Sequence, residues 1–336
     1  MKVINTVKEK FLLGENARLF DTKEYLLKTF IAVLIAGVIG KTIDYVSKDM
    51  ISLLFGMMLT LEPVNMAGTR SGLSQIEATL IGAFVSALII AIFGYGIVAT
   101  AICITLTLYV CMLINWRELM VVAVFTAIYM TTFIQTNTVG ELSSIETIKL
   151  RLAALASGVL IAIIVNFFFS LIGYKKMAKK RIYYISREIY DRSLELKVAL
   201  SHKNIEEVNI IMQKIPSLFN NIDWITATLL DVKKDQEKFR IVYRYFDADE
   251  ALAYSIALRG ITHVMYDLCY RVKNDSRPYT EDSFILSYEE RLGHFEAVKE
   301  AFNNQVPIPR AKWKETSYPW LNHYSEALEK LNKDPE

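Results

Sequence analysis

Long apolar stretches separated by short polar segments fill the first half of the chain. Each stretch approaches the roughly 20 residues that span a bilayer core about 30 Å thick. There are six, over residues 25–46, 50–67, 76–93, 97–115, 119–137 and 151–173. Because backbone polar groups in lipid must be satisfied within each segment, the pattern predicts six transmembrane helices rather than strands.

The connections between these stretches are short, which predicts that successive helices are antiparallel neighbours. Residues 68–74 form the predicted loop between the second and third helices, and residues 138–149 form the longest connection. In the third stretch, Ala78, Gly82 and Ser86 recur every four residues. Small residues in such rows let helix backbones approach closely in lipid. The row therefore predicts a helix–helix contact within the chain, with a subunit interface as the alternative.

From residue 175 onward the pattern becomes amphipathic. In residues 182–190, apolar side chains recur every three or four positions between charged ones, as in helices packed on a water-soluble core. Further helices are predicted at 176–201, 203–232, 236–273, 281–303 and 316–333. The predicted fold class is therefore all-α. Residues 1–24 form an N-terminal segment, 25–174 a transmembrane bundle of about six helices, and 175–336 a helical bundle.

Charge separates the two halves and orients the first. The chain has 336 residues, 53% of them hydrophobic, with a net charge of +6 over 1–181 and −4 over 182–336. Basic residues concentrate at one set of helix ends, in the N-terminal segment, at Arg70 and Arg117, and over 175–181. Such residues favour the cytoplasmic side. We therefore expect a multi-pass plasma-membrane protein with both termini and the second bundle in the cytoplasm.

Motifs for enzymatic chemistry are absent from the sequence. The four histidines are isolated, no HExxH, CxxC or phosphate-binding glycine loop occurs, and the three cysteines are too dispersed for a disulfide framework. We expect neither a metal nor another cofactor, and no enzymatic activity. The acidic second half argues against nucleic acid as a partner.

Ionisable side chains within apolar stretches are functional candidates, because charge in the bilayer is costly. Four such residues, Lys28, Glu62, Arg70 and Glu77, fall near the predicted cytoplasmic ends of the first three helices. Two interpretations remain open. These side chains neutralise one another in a packed interface, or they form a vestibule in which Lys28 and Arg70 attract an anion and Glu62 and Glu77 handle protons.

Arg151 opens the sixth stretch from the opposite side. It either extends its guanidinium to the membrane surface or attracts an anion at the exit. Aromatic side chains at Tyr109, Tyr129 and Phe133 are candidates for contacts with a substrate ring. Asn166 lies in the same stretch as Arg151 and requires a hydrogen-bonding partner elsewhere in the chain.

Several short motifs, in their order along the chain, resemble the bacterial aromatic acid exporter family, member 1 type, within the broader fusaric acid resistance group. They are Lys28-Thr29 before an apolar run, Leu61-Glu62-Pro63 at a helix end, the glycine-containing segment 72–82, and Arg151 followed by Gly158 and Val165-Asn166. Two positions depart from the family pattern. Gln75 stands where arginine is usual, and Ala78 replaces a glycine, so that Arg70 is the nearby candidate to supply the missing charge.

The resemblance implies a multipass inner-membrane protein that exports aromatic carboxylic acids as a homodimer. Its partners would be the lipid bilayer and a small organic anion. Plant malate channels share a similar plan of six spans and a helical cytosolic domain, which makes a passive organic-anion channel one alternative. A membrane sensor or scaffold that transports nothing is the other.

Overall fold

A computed structural model describes residues 22–114, 120–239, 248–304 and 316–332, together with Pro309 and Trp313. The chain divides into two compact units, one over Thr22–Ile172 and the other from Gly173 onward. The predicted domain boundaries and the function of each unit remain predictions.

The first unit consists of apolar helices joined by short connections. They are α1 (Thr22–Thr42), α2 (Asp44–Ser47), α3 (Met50–Thr60), α4 (Asn65–Phe93), α5 (Ile97–Leu113), α6 (Met120–Thr132) and the first part of α7 (Ser144–Ser201). Between α6 and α7, the two-residue strands β1 (Gln135–Thr136) and β2 (Leu142–Ser143) pair antiparallel. The all-α fold class is confirmed, apart from this small hairpin in the predicted 138–149 loop and its flanks.

Several helix lengths differ from those of the six predicted spans. Three segments, Lys23–Thr42, Asn65–Phe93 and Ser144–Ser170, are long and apolar enough to cross a membrane. The apolar helices Met50–Thr60, Ile97–Leu113 and Met120–Thr132 are shorter. At about 1.5 Å per residue, an 11-residue helix is only about 17 Å long, well short of the bilayer core. The six-span bundle therefore stays a prediction.

The predicted loop over residues 68–74 is wrong, because these residues lie inside α4. They were predicted as a loop because they lie between two apolar stretches, but their glycines allow close packing instead. A Cβ atom added to Gly68 would lie 2.1 Å from Asn166 Nδ2, and one added to Gly72 would lie 2.5 Å from Val159 Cγ1. The predicted second span, 50–67, is correspondingly wrong at its end, since α3 stops at Thr60.

Glycines allow α3 and α4 to pack so closely against neighbouring helices that main-chain atoms of the two helices approach each other. A Cβ atom on Gly158 of α7 would lie 2.0 Å from the Leu53 carbonyl oxygen of α3. One on Gly82 of α4 would lie 2.3 Å from the Ala123 carbonyl oxygen of α6. Ser86, from the same row as Gly82, is also buried. The row of small residues in α4 thus makes a contact within the chain, as predicted.

Large apolar side chains remain exposed on the outside of this unit. Examples are Phe30 (61%), Phe84 (72%), Phe125 (50%), Leu160 (58%) and Phe168 (59%). An exposed apolar surface of this extent is unfavourable in water and suits lipid. The first unit is therefore the part of the chain that a membrane would surround.

The second unit packs amphipathic helices around an apolar core. Its helices are the end of α7, α8 (Ile205–Lys238), α9 (Ala248–Asn274), α10 (Asp282–Asn304) and α11 (Pro319–Glu329), with 3-10 turns at Arg277–Tyr279 and Lys330–Asn332. Residues 236–238 belong to α8, so the predicted helix over 236–273 is wrong at its start, and residues 240–247 lie outside the described residues.

Two large polar side chains buried in this core, Arg291 and Trp320, have structural partners. Arg291 donates from Nε to Ser325 Oγ (2.8 Å) and from a terminal nitrogen to the Ser287 carbonyl (2.8 Å). Trp320 is buried and donates to the Val264 carbonyl. Burial raises the pKa of the Cys269 thiol to about 12.

Candidate functional site

A break in the second apolar stretch leaves main-chain groups in need of partners. α3 ends at Thr60, and α4 begins at Asn65. Between them the backbone is extended at Leu61 and Val64. Pro63 explains the break, because proline has no amide hydrogen and disfavours helix at the preceding residue. The last carbonyls of α3 must therefore be satisfied by other helices.

Side chains from α1 and α7 supply those partners. Asn166 donates from Nδ2 to the Thr60 carbonyl (2.8 Å) and accepts from the Glu62 amide N–H (3.3 Å). Lys28 donates from Nζ to the Glu62 carbonyl. Lys28 and Asn166 are both buried, with 4% and 0% of their surface exposed. We call Lys28, Thr60, Glu62 and Asn166 the break cluster.

Gln75 on α4 extends the break cluster at the position where the resemblance expects arginine. Its Nε2 donates to Thr60 Oγ1 at 3.0 Å, and its side chain is buried. Within the described part of the chain, its Oε1 atom has no hydrogen-bond partner. Arg70 does not occupy the same place, because five positions along a helix turn a side chain by about 140°. Arg70 is instead exposed.

Replacing Asn166 by alanine should destabilise the first unit. The substitution leaves the Thr60 carbonyl and the Glu62 amide without their bonds to Asn166, and an unsatisfied buried group costs about 1–3 kcal/mol. Thermal unfolding of the purified protein measures the effect. Ser157→Ala is the control, because the bond that Ser157 makes among the described residues is to the Ala153 carbonyl of its own helix. Equal melting temperatures for the two variants would contradict the assigned role of Asn166.

A second buried cluster surrounds Arg151 near the start of α7. Its guanidinium donates from Nε to Thr126 Oγ1 (3.2 Å) and from a terminal nitrogen to Ser52 Oγ (2.8 Å). The guanidinium carbon lies 4.6 Å from the centre of the Tyr129 ring. Only 3% of Arg151 is exposed. The interpretation that this side chain extends to the membrane surface is therefore wrong.

Asp49 completes this second group and was missed in the sequence, where it counted only as part of a connection. Its Oδ1 caps α3 by accepting from the Ser52 amide at 3.0 Å. Its carboxylate interacts electrostatically with Arg151 and with Tyr129. Asp49 is 3% exposed, and Oδ2 has no hydrogen-bond partner among the described residues. We call Asp49, Ser52, Thr126, Tyr129 and Arg151 the arginine cluster.

A pair of aromatic rings leads from the arginine cluster to the surface of the unit. The Tyr129 and Phe133 rings stack with centroids 5.3 Å apart and planes 25° apart. Tyr129 is buried, whereas 53% of Phe133 is exposed. A planar aromatic acid has matching groups here, because its ring can stack beside Phe133 while its carboxylate faces the guanidinium.

The remaining predicted site residues are more exposed. Tyr109 on α5 is 57% exposed, and the side chains of Arg70 and Glu77 are exposed on α4. Glu62 is half-buried and contributes its main chain to the break cluster. The structure thus brings Lys28 together with Glu62, and Tyr129 together with Arg151 and Phe133.

Apolar helices, an apolar exposed surface and two buried polar clusters together define a helical membrane protein. Residues 23–173 match the aromatic acid exporter family, member 1. This part of the chain contains both clusters, and the match confirms the resemblance inferred from the sequence motifs.

One curated relative is a UPF0421 protein from Oceanobacillus iheyensis. It is 27% identical to this chain over 184 residues, a match that covers 55% of the chain and 50% of the relative. The chain therefore spans about half the length of the curated relative it matches. This similarity agrees with the family match and does not identify a substrate.

Proposed function

We propose that the protein is a secondary exporter of aromatic and other organic carboxylic acids. The observation that carries the proposal is the buried guanidinium of Arg151, held between Ser52 and Thr126 beside the Tyr129 ring. A permanent cation buried in an apolar unit is costly and is typically retained for function. The match of residues 23–173 to an exporter family supports the same conclusion.

Arg151 would bind the substrate carboxylate through charge-assisted hydrogen bonds. Guanidinium and carboxylate groups match in shape and can form two parallel bonds. Tyr129 and Phe133 would contact the substrate ring, since the two rings stack and more than half of Phe133 is exposed to a third ring. Selectivity for aromatic over aliphatic acids would come from this ring contact.

The other predicted residues keep the roles proposed from the sequence. Lys28 and Arg70 would attract the anion at the cytoplasmic end, and Tyr109 would offer a further ring contact. Glu62 and Glu77 would handle protons there. On this proposal the break cluster faces the cytoplasm, both termini and the second unit are cytoplasmic, and the protein works as a homodimer in the plasma membrane.

Counterflow in liposomes tests the proposal. Purified protein is reconstituted, the vesicles are loaded with unlabelled benzoate, and uptake of labelled benzoate is followed against protein-free vesicles. We expect labelled benzoate to accumulate transiently, because a carrier exchanges substrate across the membrane. A steady current carried by benzoate in planar bilayers, without counterflow, would identify a channel instead. No movement of benzoate or of a panel of organic acids would favour the sensor.

A further inference from the structure

The arginine cluster carries a balanced pair of charges within an apolar unit. Arg151 and Asp49 are each 3% exposed, and both bond Ser52: Arg151 donates to Ser52 Oγ, and Asp49 Oδ1 accepts from the Ser52 amide. Of the titratable groups on the packed elements, Tyr129 of α6 also faces Asp49. Lys149 and Glu146 pair with each other at 2.7 Å near the start of α7, with exposed side chains. The buried charge at this site is therefore neutral overall, as the cost of burying ions requires.

A substrate carboxylate at Arg151 would upset that balance. With Asp49 ionised, two carboxylates would share one guanidinium, and the buried site would carry a net negative charge. Like charges placed close together in a medium of low polarity cannot both remain ionised without a large cost. One proton taken up with the substrate removes the excess charge.

Building on the proposed function, we propose that the arginine cluster binds a carboxylate and a proton together, with Asp49 as the proton acceptor. The substrate anion replaces Asp49 as the buried negative charge that balances the Arg151 guanidinium, and Asp49 takes one proton from the aqueous phase to become a carboxylic acid. The site holds one cation and one anion before and after the exchange, so no net charge is gained.

The geometry of Asp49 allows protonation without loss of its structural bond. Oδ1 accepts from the Ser52 amide and caps α3, whereas Oδ2 has no partner in the described residues and is the oxygen available to the proton. Protonated at Oδ2, Asp49 can keep its cap through Oδ1.

Binding of a proton and a carboxylate at one site determines the direction in which the two are transported relative to each other. A carrier that binds a proton and a carboxylate at the same time moves both in the same direction. Transport by this site is then electrically neutral, and the outward driving force is the concentration gradient of the acid itself rather than the inward proton gradient.

Calorimetric titration of the reconstituted protein with benzoate tests this inference. Measurements in buffers of different ionisation enthalpy give the number of protons taken up on binding. Between about pH 6 and 8, benzoate itself stays ionised. We expect wild-type protein to take up one proton per benzoate, and affinity to rise up to tenfold for each unit fall in pH. Asp49→Asn should bind without proton uptake and with no pH dependence.

Asp49→Asn is well suited to the test because asparagine also caps helices effectively, and Asp49→Ser provides a second capping variant without a carboxylate. Asp44→Asn, at an exposed position on α2, is the matched control and should behave as wild type. Benzoate binding by wild type without proton uptake, or proton uptake that persists in both Asp49 variants, would overturn the inference and leave the proposed function standing. Absence of binding by wild type would overturn both.

Discussion

Replacing Arg151 by glutamine should reduce benzoate counterflow to the level of protein-free vesicles. Glutamine keeps polar atoms near Ser52 and Thr126 but removes the positive charge that the substrate carboxylate needs. Loss of one partner of a buried, hydrogen-bonded charge pair costs about 2–5 kcal/mol, which corresponds to a loss of affinity of about 30-fold or more. Initial rates of labelled benzoate uptake measure the effect.

Two further variants separate lost binding from lost folding. Arg151→Gln leaves the buried Asp49 carboxylate without its cation, which can destabilise the unit by itself. The double variant Asp49→Asn with Arg151→Gln removes both charges, and we expect it to regain the wild-type melting temperature while remaining inactive. Arg151→Lys keeps the charge but loses the planar guanidinium, and should retain partial activity. Wild-type counterflow by the double variant would contradict the role assigned to Arg151.

Replacing Gly158 by alanine should destabilise the first unit strongly. The added Cβ would lie 2.0 Å from the Leu53 carbonyl oxygen and 2.9 Å from the Met57 amide nitrogen, both of them main-chain atoms of α3. Because neither can rotate away, α3 and α7 would have to separate, and overpacking of this kind costs about 1–3 kcal/mol or more. Each kcal/mol lowers the melting temperature by about 2–4 °C in a unit of this size.

Gly37→Ala is the matched control, since it places the same atom on another apolar helix. Among the described residues, nothing lies within 4 Å of a Cβ atom at Gly37. Its melting temperature should equal that of wild type or exceed it slightly, because alanine favours helix over glycine. Equal melting temperatures for the two alanine variants would contradict the close approach of α3 and α7.

The sequence predicted the apolar helices well, because their signal is local. Each of the six apolar stretches contains an apolar helix in the structure. The restart of helix immediately after Pro63 was not predicted, since a cluster of small residues reads equally well as a loop or as a packing face. Only the positions of Asn166 and Val159 on a distant helix decide between the two.

The candidate site was predicted in part. The charge of Arg151 and the rings of Tyr129 and Phe133 mark these residues as candidates in the sequence. The structure brings the three together. Asp49 was not singled out, although an aspartate directly before an apolar helix is a common cap. Its proximity to Arg151 joins residues about a hundred positions apart, a relation that no local pattern contains.

Asn166 is a second residue whose structural partners could not be predicted from the sequence. The sequence required a partner for it without indicating which, and the structure supplies the Thr60 carbonyl and the Glu62 amide. Both groups need a partner only because Pro63 interrupts the helix. The requirement could be predicted from burial, whereas the pairing depends on how α3 and α7 pack.

Equilibrium binding of benzoate and benzamide to the purified protein tests most directly whether Arg151 recognises a carboxylate. The two ligands have the same ring and nearly the same shape, but only benzoate carries a charge. We predict that benzoate binds at least about tenfold more tightly than benzamide, and that the preference disappears in Arg151→Gln. Equal affinities in the wild-type protein, or an unchanged preference for benzoate in the variant, would contradict the account.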